Sequence, residues 1–144
     1  MRAKLTAQTL GYLGLIPFYG FLAGFAFLED YPRSLSVQGF LIYSLAILSF
    51  LGGAVWGYAR TFPDGQQVTR LLVSNGIVVF AVCCLLTAQT TVAATSLLLG
   101  YLALLWFERA VDGREGWYPR MRWRLTVGVV IAHAGYGLLQ IAGG

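Results

Sequence analysis

The chain of 144 residues carries ten basic and six acidic side chains, which together make up 11% of the sequence, whereas 58% of its residues are hydrophobic. Soluble domains carry about 25% charged residues, so this composition excludes a fold that is covered by water on all sides. The net charge of +4 does not indicate nucleic acid as a partner, because the basic residues flank apolar segments instead of forming a patch on a polar surface.

Five continuous apolar segments are long enough to cross a hydrocarbon core of roughly 30 Å. They cover residues 9–28, 37–59, 68–87, 91–107 and 119–142. Strands of a membrane barrel would instead alternate in pieces of about ten residues. The first segment is longer than the apolar part of a typical signal peptide, so we expect it to be retained. The sequence therefore predicts an all-α, polytopic integral membrane protein in which residues 1–144 form a single bundle of five transmembrane helices.

The basic residues predict the orientation of this bundle. Nine of the ten fall on the side of the N-terminus: Arg2, Lys4, Arg60, Arg70, Arg109, Arg114, Arg120, Arg122 and Arg124. Arg33 alone falls on the other side, next to Glu29 and Asp30. Loops rich in Lys and Arg stay in the cytoplasm. We therefore expect a multi-pass protein of the bacterial inner membrane with a cytoplasmic N-terminus and an external C-terminus.

Small residues recur at helical spacing in the first two segments. Ser49, Gly53 and Gly57 follow one another at intervals of four, and Gly20 and Gly24 repeat this spacing. Small residues on one helix face allow two backbones to approach closely, which is a main source of helix association in lipid. We expect these five positions to be helix-packing sites. Pro17 in the first segment predicts a kink, because proline lacks the N–H that a helix requires.

The fifth segment contains the only histidine. His133 lies near the middle of the bilayer, and Thr126 and Gln140 lie seven residues to either side of it, so all three share one helix face. An ionisable side chain at this depth is a candidate for function. A structural role predicts a neutral histidine that forms a hydrogen bond with Asn75, Ser74 or Ser49 on a neighbouring helix.

Two further roles remain open for His133. A proton-linked or ligand-binding role would place it in a cavity lined also by Ser49, Trp56 and Asn75. Haem ligation would require a second axial ligand, for which the chain offers only weaker candidates. The candidate polar site in the membrane therefore comprises Ser49, Trp56, Asn75, Thr126, His133 and Gln140.

The polar connection before the fifth segment points to the membrane interface. Its aromatic residues, Trp117, Tyr118 and Trp123, are typical of an interfacial belt. Arg120, Arg122 and Arg124 stand at the start of a helix, where basic side chains and free N–H groups attract lipid phosphate or another anion. Glu108 and Asp112 would lie one turn apart, and we interpret them as a solvated helix end paired with arginine.

Three stretches resemble a known family. They are LGLIPF at residues 13–18, the stretch from Tyr43 to Gly57, and residues 117–126 with the pattern WYxxMR followed by LT. They are similar to the transmembrane-protein-69-like family, which bears domain of unknown function 3429. The resemblance covers nearly the whole chain. It implies a small five-helix protein of bacterial inner membranes, with mitochondrial relatives and without an established activity.

The sequence contains no nucleophile–base pair, metal cluster or cofactor motif, so we predict no catalytic residue, metal or cofactor. The expected partners are the lipid bilayer, anionic lipid headgroups, and a membrane-protein partner or further copies of the chain. The leading hypothesis is a non-enzymatic protein that supports a membrane complex or the organisation of lipids. The alternative is a small-solute or proton-coupled transporter that uses the cavity around His133.

Overall fold

The structure, a computed structural model, describes residues 2–87 and 89–143, and these form six α-helices without a strand. The helices are α1 (Arg2–Leu13), α2 (Ile16–Phe27), α3 (Asp30–Ala59), α4 (Asp64–Leu85), α5 (Thr90–Asp112) and α6 (Trp117–Gly143). Since α1 and α2 together make one apolar helical stretch, five spans are long and apolar enough to cross a membrane. The predicted all-α bundle of five transmembrane helices is confirmed.

The first span is interrupted at Gly14 and Leu15, three and two residues before Pro17. Proline cannot donate the backbone hydrogen bond that would continue the helix, which accounts for the break. The Tyr43 hydroxyl donates a hydrogen bond of 2.7 Å to the carbonyl oxygen of Gly14 in the gap. A side chain of α3 thus satisfies a backbone group that the interrupted helix leaves free.

Several helices extend beyond the apolar segments that the sequence defines. The second span, α3, begins at Asp30 instead of residue 37, and the fourth span, α5, continues to Asp112 instead of ending near residue 107. Hydropathy marks the part of a helix that fits the hydrocarbon core, whereas backbone hydrogen bonds continue into the interfacial region. The additional turns carry the charged residues of the interface.

The centre of the bundle is formed largely by aromatic residues and leucines. The side chains of Phe18, Phe40, Leu48, Tyr101 and Tyr136 are almost completely buried. Large apolar side chains also point outward, as Phe27 is 84% exposed and Ile141 is 76% exposed. Outward apolar side chains are stable in lipid, so this distribution matches a membrane-spanning bundle.

The face of α3 that packs against other helices is shifted by one residue from the face predicted from the glycine spacing. The inward face of α3 contains Ser44, Leu48 and Gly52, and a Cβ atom at Gly52 would lie 2.6 Å from Ile77 Cγ2 of α4. A Cβ atom at Gly53 or Gly57 would meet no atom within 4 Å.

The space around the other predicted packing positions also differs from one position to the next. Gly24 packs against Ser36, whereas Gly20 has open space beside it and Ser49 is half-buried. The assignment of Gly20, Gly53 and Gly57 to contacts between helices of this chain is therefore corrected. Each residue turns an α-helix by about 100°, so neighbouring glycines face different surroundings.

We expect Gly52→Leu to lower the stability of the bundle by about 1–3 kcal/mol, because it overpacks the contact with α4. A side chain there would approach both Ile77 and the carbonyl oxygen of Ser74, which lies 3.2 Å from the Cβ position. Gly53→Leu is the matched control and should leave the melting temperature in detergent nearly unchanged. Equal melting temperatures for the two variants would contradict the assigned face.

Candidate functional site

His133 forms hydrogen bonds through both ring nitrogens. Nε2 lies 2.8 Å from Ser44 Oγ of α3, and Nδ1 lies 2.8 Å from the carbonyl oxygen of Val129, one turn earlier in α6. A carbonyl only accepts hydrogen bonds, so Nδ1 carries the proton. In the neutral ring Nε2 is then the acceptor, and the Ser44 hydroxyl donates to it.

Aromatic rings enclose this pair. The centroids of the Phe40, Tyr101 and Phe18 rings lie 4.9, 5.5 and 5.7 Å from that of His133. The Tyr101 hydroxyl donates a hydrogen bond of 2.7 Å to the carbonyl oxygen of Ser44. Ser44 is 0% exposed and His133 is 3% exposed. The polar centre is therefore a closed cluster in which each polar group has a partner.

A serine and a histidine at hydrogen-bond distance resemble a nucleophile and its base, but the surroundings differ from those of a hydrolase. In such enzymes a carboxylate usually orients the histidine and the serine is open to substrate. Here a backbone carbonyl orients the ring and the serine is covered on all sides. The arrangement suits structural bonding between α3 and α6.

The predicted cavity residues do not surround His133. Asn75 is exposed and its side-chain amide donates a hydrogen bond to the carbonyl oxygen of Leu71 in its own helix. Trp56 is 43% exposed, and Ser49 is half-buried without a bond to the histidine. The predicted bond from His133 to Asn75, Ser74 or Ser49 is therefore corrected to Ser44. Ser44 lies on the inward face of α3, whose register the glycine spacing had misassigned by one residue.

Thr126 and Gln140, which were predicted to share a helix face with His133, do not contact the histidine and lie toward opposite ends of the bundle. Thr126 Oγ1 accepts a hydrogen bond of 3.2 Å from Arg122 Nη1. This contact lies near the end of the bundle that carries Arg70, Glu108, Asp112 and Arg122, here called the basic end. Gln140 lines a depression at the opposite end together with Arg33 and Thr90. The three residues thus extend along most of α6 and contact separate groups.

Two ion pairs join helices at the basic end of the bundle. Arg122 donates two hydrogen bonds to Glu108, from Nε to Oε2 at 2.9 Å and from Nη2 to Oε1 at 3.1 Å. Arg70 Nη1 lies 2.7 Å from Asp112 Oδ1. Both arginine side chains are buried, so these pairs join α6 to α5 and α4 to α5. The predicted pairing of Glu108 and Asp112 with arginine is confirmed. The predicted solvation of this helix end is wrong for Glu108, whose side chain is 15% exposed and whose partner Arg122 is 4% exposed.

The structure separates the three arginines that were expected to meet lipid phosphate. Arg122 is 3% exposed and is held by Glu108 and Thr126, so it does not face a headgroup. Arg120 and Arg124 are exposed one turn apart on α6. The start of α6 therefore presents two arginines outward and turns one inward.

A cavity of about 520 Å³ opens beside these ion pairs. Its lining comes from the end of α3, the end of α5, the connection between α5 and α6, and the start of α6: Ala54, Val55, Tyr58, Leu105, Glu108, Arg109, Asp112, Gly113, Glu115, Tyr118, Pro119 and Arg122. Sequence reasoning missed this cavity as a site. The sequence feature that could have predicted it is the combination of acidic, basic and aromatic residues in the connection between α5 and α6.

Two glycines shape the connection that borders the cavity. Gly113 has φ of 87° and Gly116 has φ of 105°, which are values that residues with a Cβ atom rarely adopt. Gly113 ends α5, and Gly116 directly precedes α6. The short turn between them carries Glu115 to the rim of the cavity.

The described residues, 2–87 and 89–143, contain no group of three or more His, Cys, Asp or Glu side chains that could hold a metal ion. Within the same ranges, every buried side-chain nitrogen or oxygen has a hydrogen-bond partner.

Comparison with known proteins relates the chain to one family. Residues 3–138 match the profile of the family described as "Protein of unknown function (DUF3429)". No curated protein and no solved structure matches the chain significantly. The match covers nearly the whole five-span bundle, including the polar centre and the cavity at the basic end. The chain therefore belongs to the DUF3429 family.

Proposed function

We propose that this chain is a non-enzymatic integral membrane protein that supports a membrane complex or the organisation of lipids. Its basic end is the part that acts on lipid. The observation that carries this proposal is the contrast between a closed polar centre and an open, charged cavity at the interface. A transporter would need a polar path through the bundle, and the residues expected to line one do not converge on His133.

The basic end has the composition of a lipid-binding surface. By chain topology, nine of the ten basic residues lie there, and only two of them are used in ion pairs within the described residues. The Arg109 guanidinium lies 5.1 Å from the centroid of the Trp123 ring, and the Lys4 ammonium lies 5.9 Å from that of Trp117. Basic and aromatic side chains in this combination favour the headgroup region.

The setting of the protein is part of the proposal. The motifs at residues 13–18, 43–57 and 117–126 support a relationship to transmembrane-protein-69-like proteins and, with it, the bacterial inner membrane. The charge asymmetry supports a cytoplasmic N-terminus and an external C-terminus. Partner proteins or further copies of the chain would then meet the outward helix faces in the bilayer.

Removal of both exposed arginines of α6 tests the lipid role. We expect Arg120→Gln/Arg124→Gln to retain less anionic phospholipid than the wild-type protein after extraction in mild detergent. Each basic residue near the surface contributes about 1 kcal/mol, so the pair corresponds to about thirtyfold in affinity. The measurement is bound phospholipid per protein, and Arg33→Gln at the opposite end is the control. Unchanged retention by the double variant would contradict the lipid role.

A further inference from the structure

The cavity at the basic end has an apolar wall and a charged rim. Ala54, Val55 and Leu105 lie about one helical turn deeper in the bundle than Tyr58 and Arg109. The apolar residues therefore face the side of the hydrocarbon core, and the charged ones face the interface. This gradient matches a molecule with a polar head and an apolar body.

The charges of the rim do not all cancel inside the protein. Glu108 is paired with Arg122, and Asp112 is paired with Arg70. Of the remaining charged lining residues, Arg109 and Glu115 form no ion pair within residues 2–87 and 89–143. The lining therefore contains one positive and one negative group without an ion-pair partner, and the Arg109 guanidinium has only the Trp123 ring, 5.1 Å away, as a further contact of its charge.

We infer that this cavity binds the headgroup of an amine-bearing phospholipid, a phosphatidylethanolamine, with Arg109 at the phosphate and Glu115 at the ammonium group. The inference rests on the proposed lipid role and specifies the lipid. A zwitterionic headgroup supplies one negative and one positive charge, which complements the two unpaired groups. The glycerol and the first methylenes would contact Ala54, Val55 and Leu105.

The aromatic lining supports a cationic group in the ligand. Tyr118 lines the cavity, and aromatic faces attract ammonium groups within about 6 Å. Tyr58 also lines it, but the Arg70 guanidinium already lies 5.9 Å from the centroid of that ring. On α3, Gly53 and Gly57 directly precede the lining residues Ala54 and Tyr58, and no atom of a neighbouring helix lies within 4 Å of a Cβ position at either glycine. The missing side chains leave space along α3 for an acyl chain that continues from the headgroup.

Other headgroups fit the charges less well. Phosphatidylglycerol has no cation, so it would leave Glu115 unmatched and add a negative charge beside it. Phosphatidylcholine carries a cation without N–H groups, so it cannot donate a hydrogen bond to the carboxylate. A charge-assisted hydrogen bond is stronger than a neutral one, which favours the primary amine.

Lipid titration of the purified full chain, read by native mass spectrometry, tests the inference. Wild-type protein should bind short-chain phosphatidylethanolamine more tightly than phosphatidylcholine or phosphatidylglycerol. Glu115→Gln should lower the affinity for phosphatidylethanolamine by about tenfold and should not lower that for phosphatidylglycerol. Arg109→Gln should weaken binding of both lipids, because both contain the phosphate. Inorganic phosphate in millimolar excess should not displace the lipid.

Glu29→Gln at the opposite end and Arg114→Gln outside the lining are the matched controls, and both should bind like the wild type. Unchanged affinity of Glu115→Gln, or equal loss in Glu29→Gln, would overturn the inference. Wild-type preference for phosphatidylglycerol that depends on Arg120 and Arg124 would also overturn it while leaving the proposed lipid role intact. Melting temperatures and helical circular dichroism distinguish lost binding from lost folding.

Discussion

Arg122→Met is expected to destabilise the bundle by about 3 kcal/mol or more, because it leaves Glu108 near the C-terminal end of α5 without its cation. The arginine side chain is 4% exposed and the glutamate is 15% exposed, so water replaces the lost partner only in part. The substitution also removes the hydrogen bond to Thr126. The measurement is the midpoint of unfolding by denaturant in detergent, together with the melting temperature.

Two further variants distinguish a lost ion pair from lost packing. Arg122→Met/Glu108→Gln removes both charges and should recover a large part of the stability, since the penalty lies in the unpaired carboxylate. Arg120→Met changes an exposed arginine of the same helix and should cost little. If the single Arg122 variant were no less stable than Arg120→Met, the pair would not hold α5 against α6.

His133→Leu is expected to cost about 1–3 kcal/mol, because it leaves the buried Ser44 hydroxyl without its acceptor. The Val129 carbonyl loses only its second hydrogen bond, since the backbone N–H of residue 133 still donates to it within α6. His133→Gln should be better tolerated, because an amide can both accept from the serine and donate to the carbonyl. Thermal unfolding in detergent measures the difference between the two variants.

Ser44→Ala provides the second half of this test. It removes the donor to Nε2, so its effect and that of His133→Leu should not be additive. Additive losses in the double variant would mean that serine and histidine stabilise the bundle independently. Equal stability of the Leu and Gln variants would likewise contradict a structural hydrogen bond at this position.

The helical architecture could be predicted because hydropathy and helix length are direct consequences of the membrane solvent. Charged residues end the apolar segments, and Pro17 marks the break between α1 and α2. Helix ends were less predictable. Asp30 and Asp112 lie outside the apolar segments, and polar residues do not prevent a helix from continuing into the interface.

Which residues surround His133 depends on the rotation of each helix about its axis. The spacing of small residues in the sequence does not determine this rotation. Ser49, Gly53 and Gly57 form a regular stripe, and so do Ser44, Leu48 and Gly52, but only the second faces the bundle. The first stripe attracted attention because its residues are small, although small residues on an outward face have no packing partner in the chain. The prediction of the histidine's partner was wrong for the same reason.

The buried arginines were difficult to foresee for a different reason. Arg122 lies between Arg120 and Arg124 in the sequence, and nothing in its type distinguishes it from them. The distinction arises because α6 turns Arg122 toward Glu108 and its neighbours toward the interface. Long-range pairing of this kind becomes visible only when helices are placed side by side.

Measuring proton flux into proteoliposomes is the most direct test of whether the polar cluster around His133 is a closed structural core inside the bundle. Wild-type protein and His133→Gln, reconstituted at equal density with a pH-sensitive dye inside, should both show the same flux as empty vesicles under an imposed pH gradient and membrane potential. Flux in the wild-type vesicles that is lost in His133→Gln would contradict a closed core and favour a proton-coupled transporter.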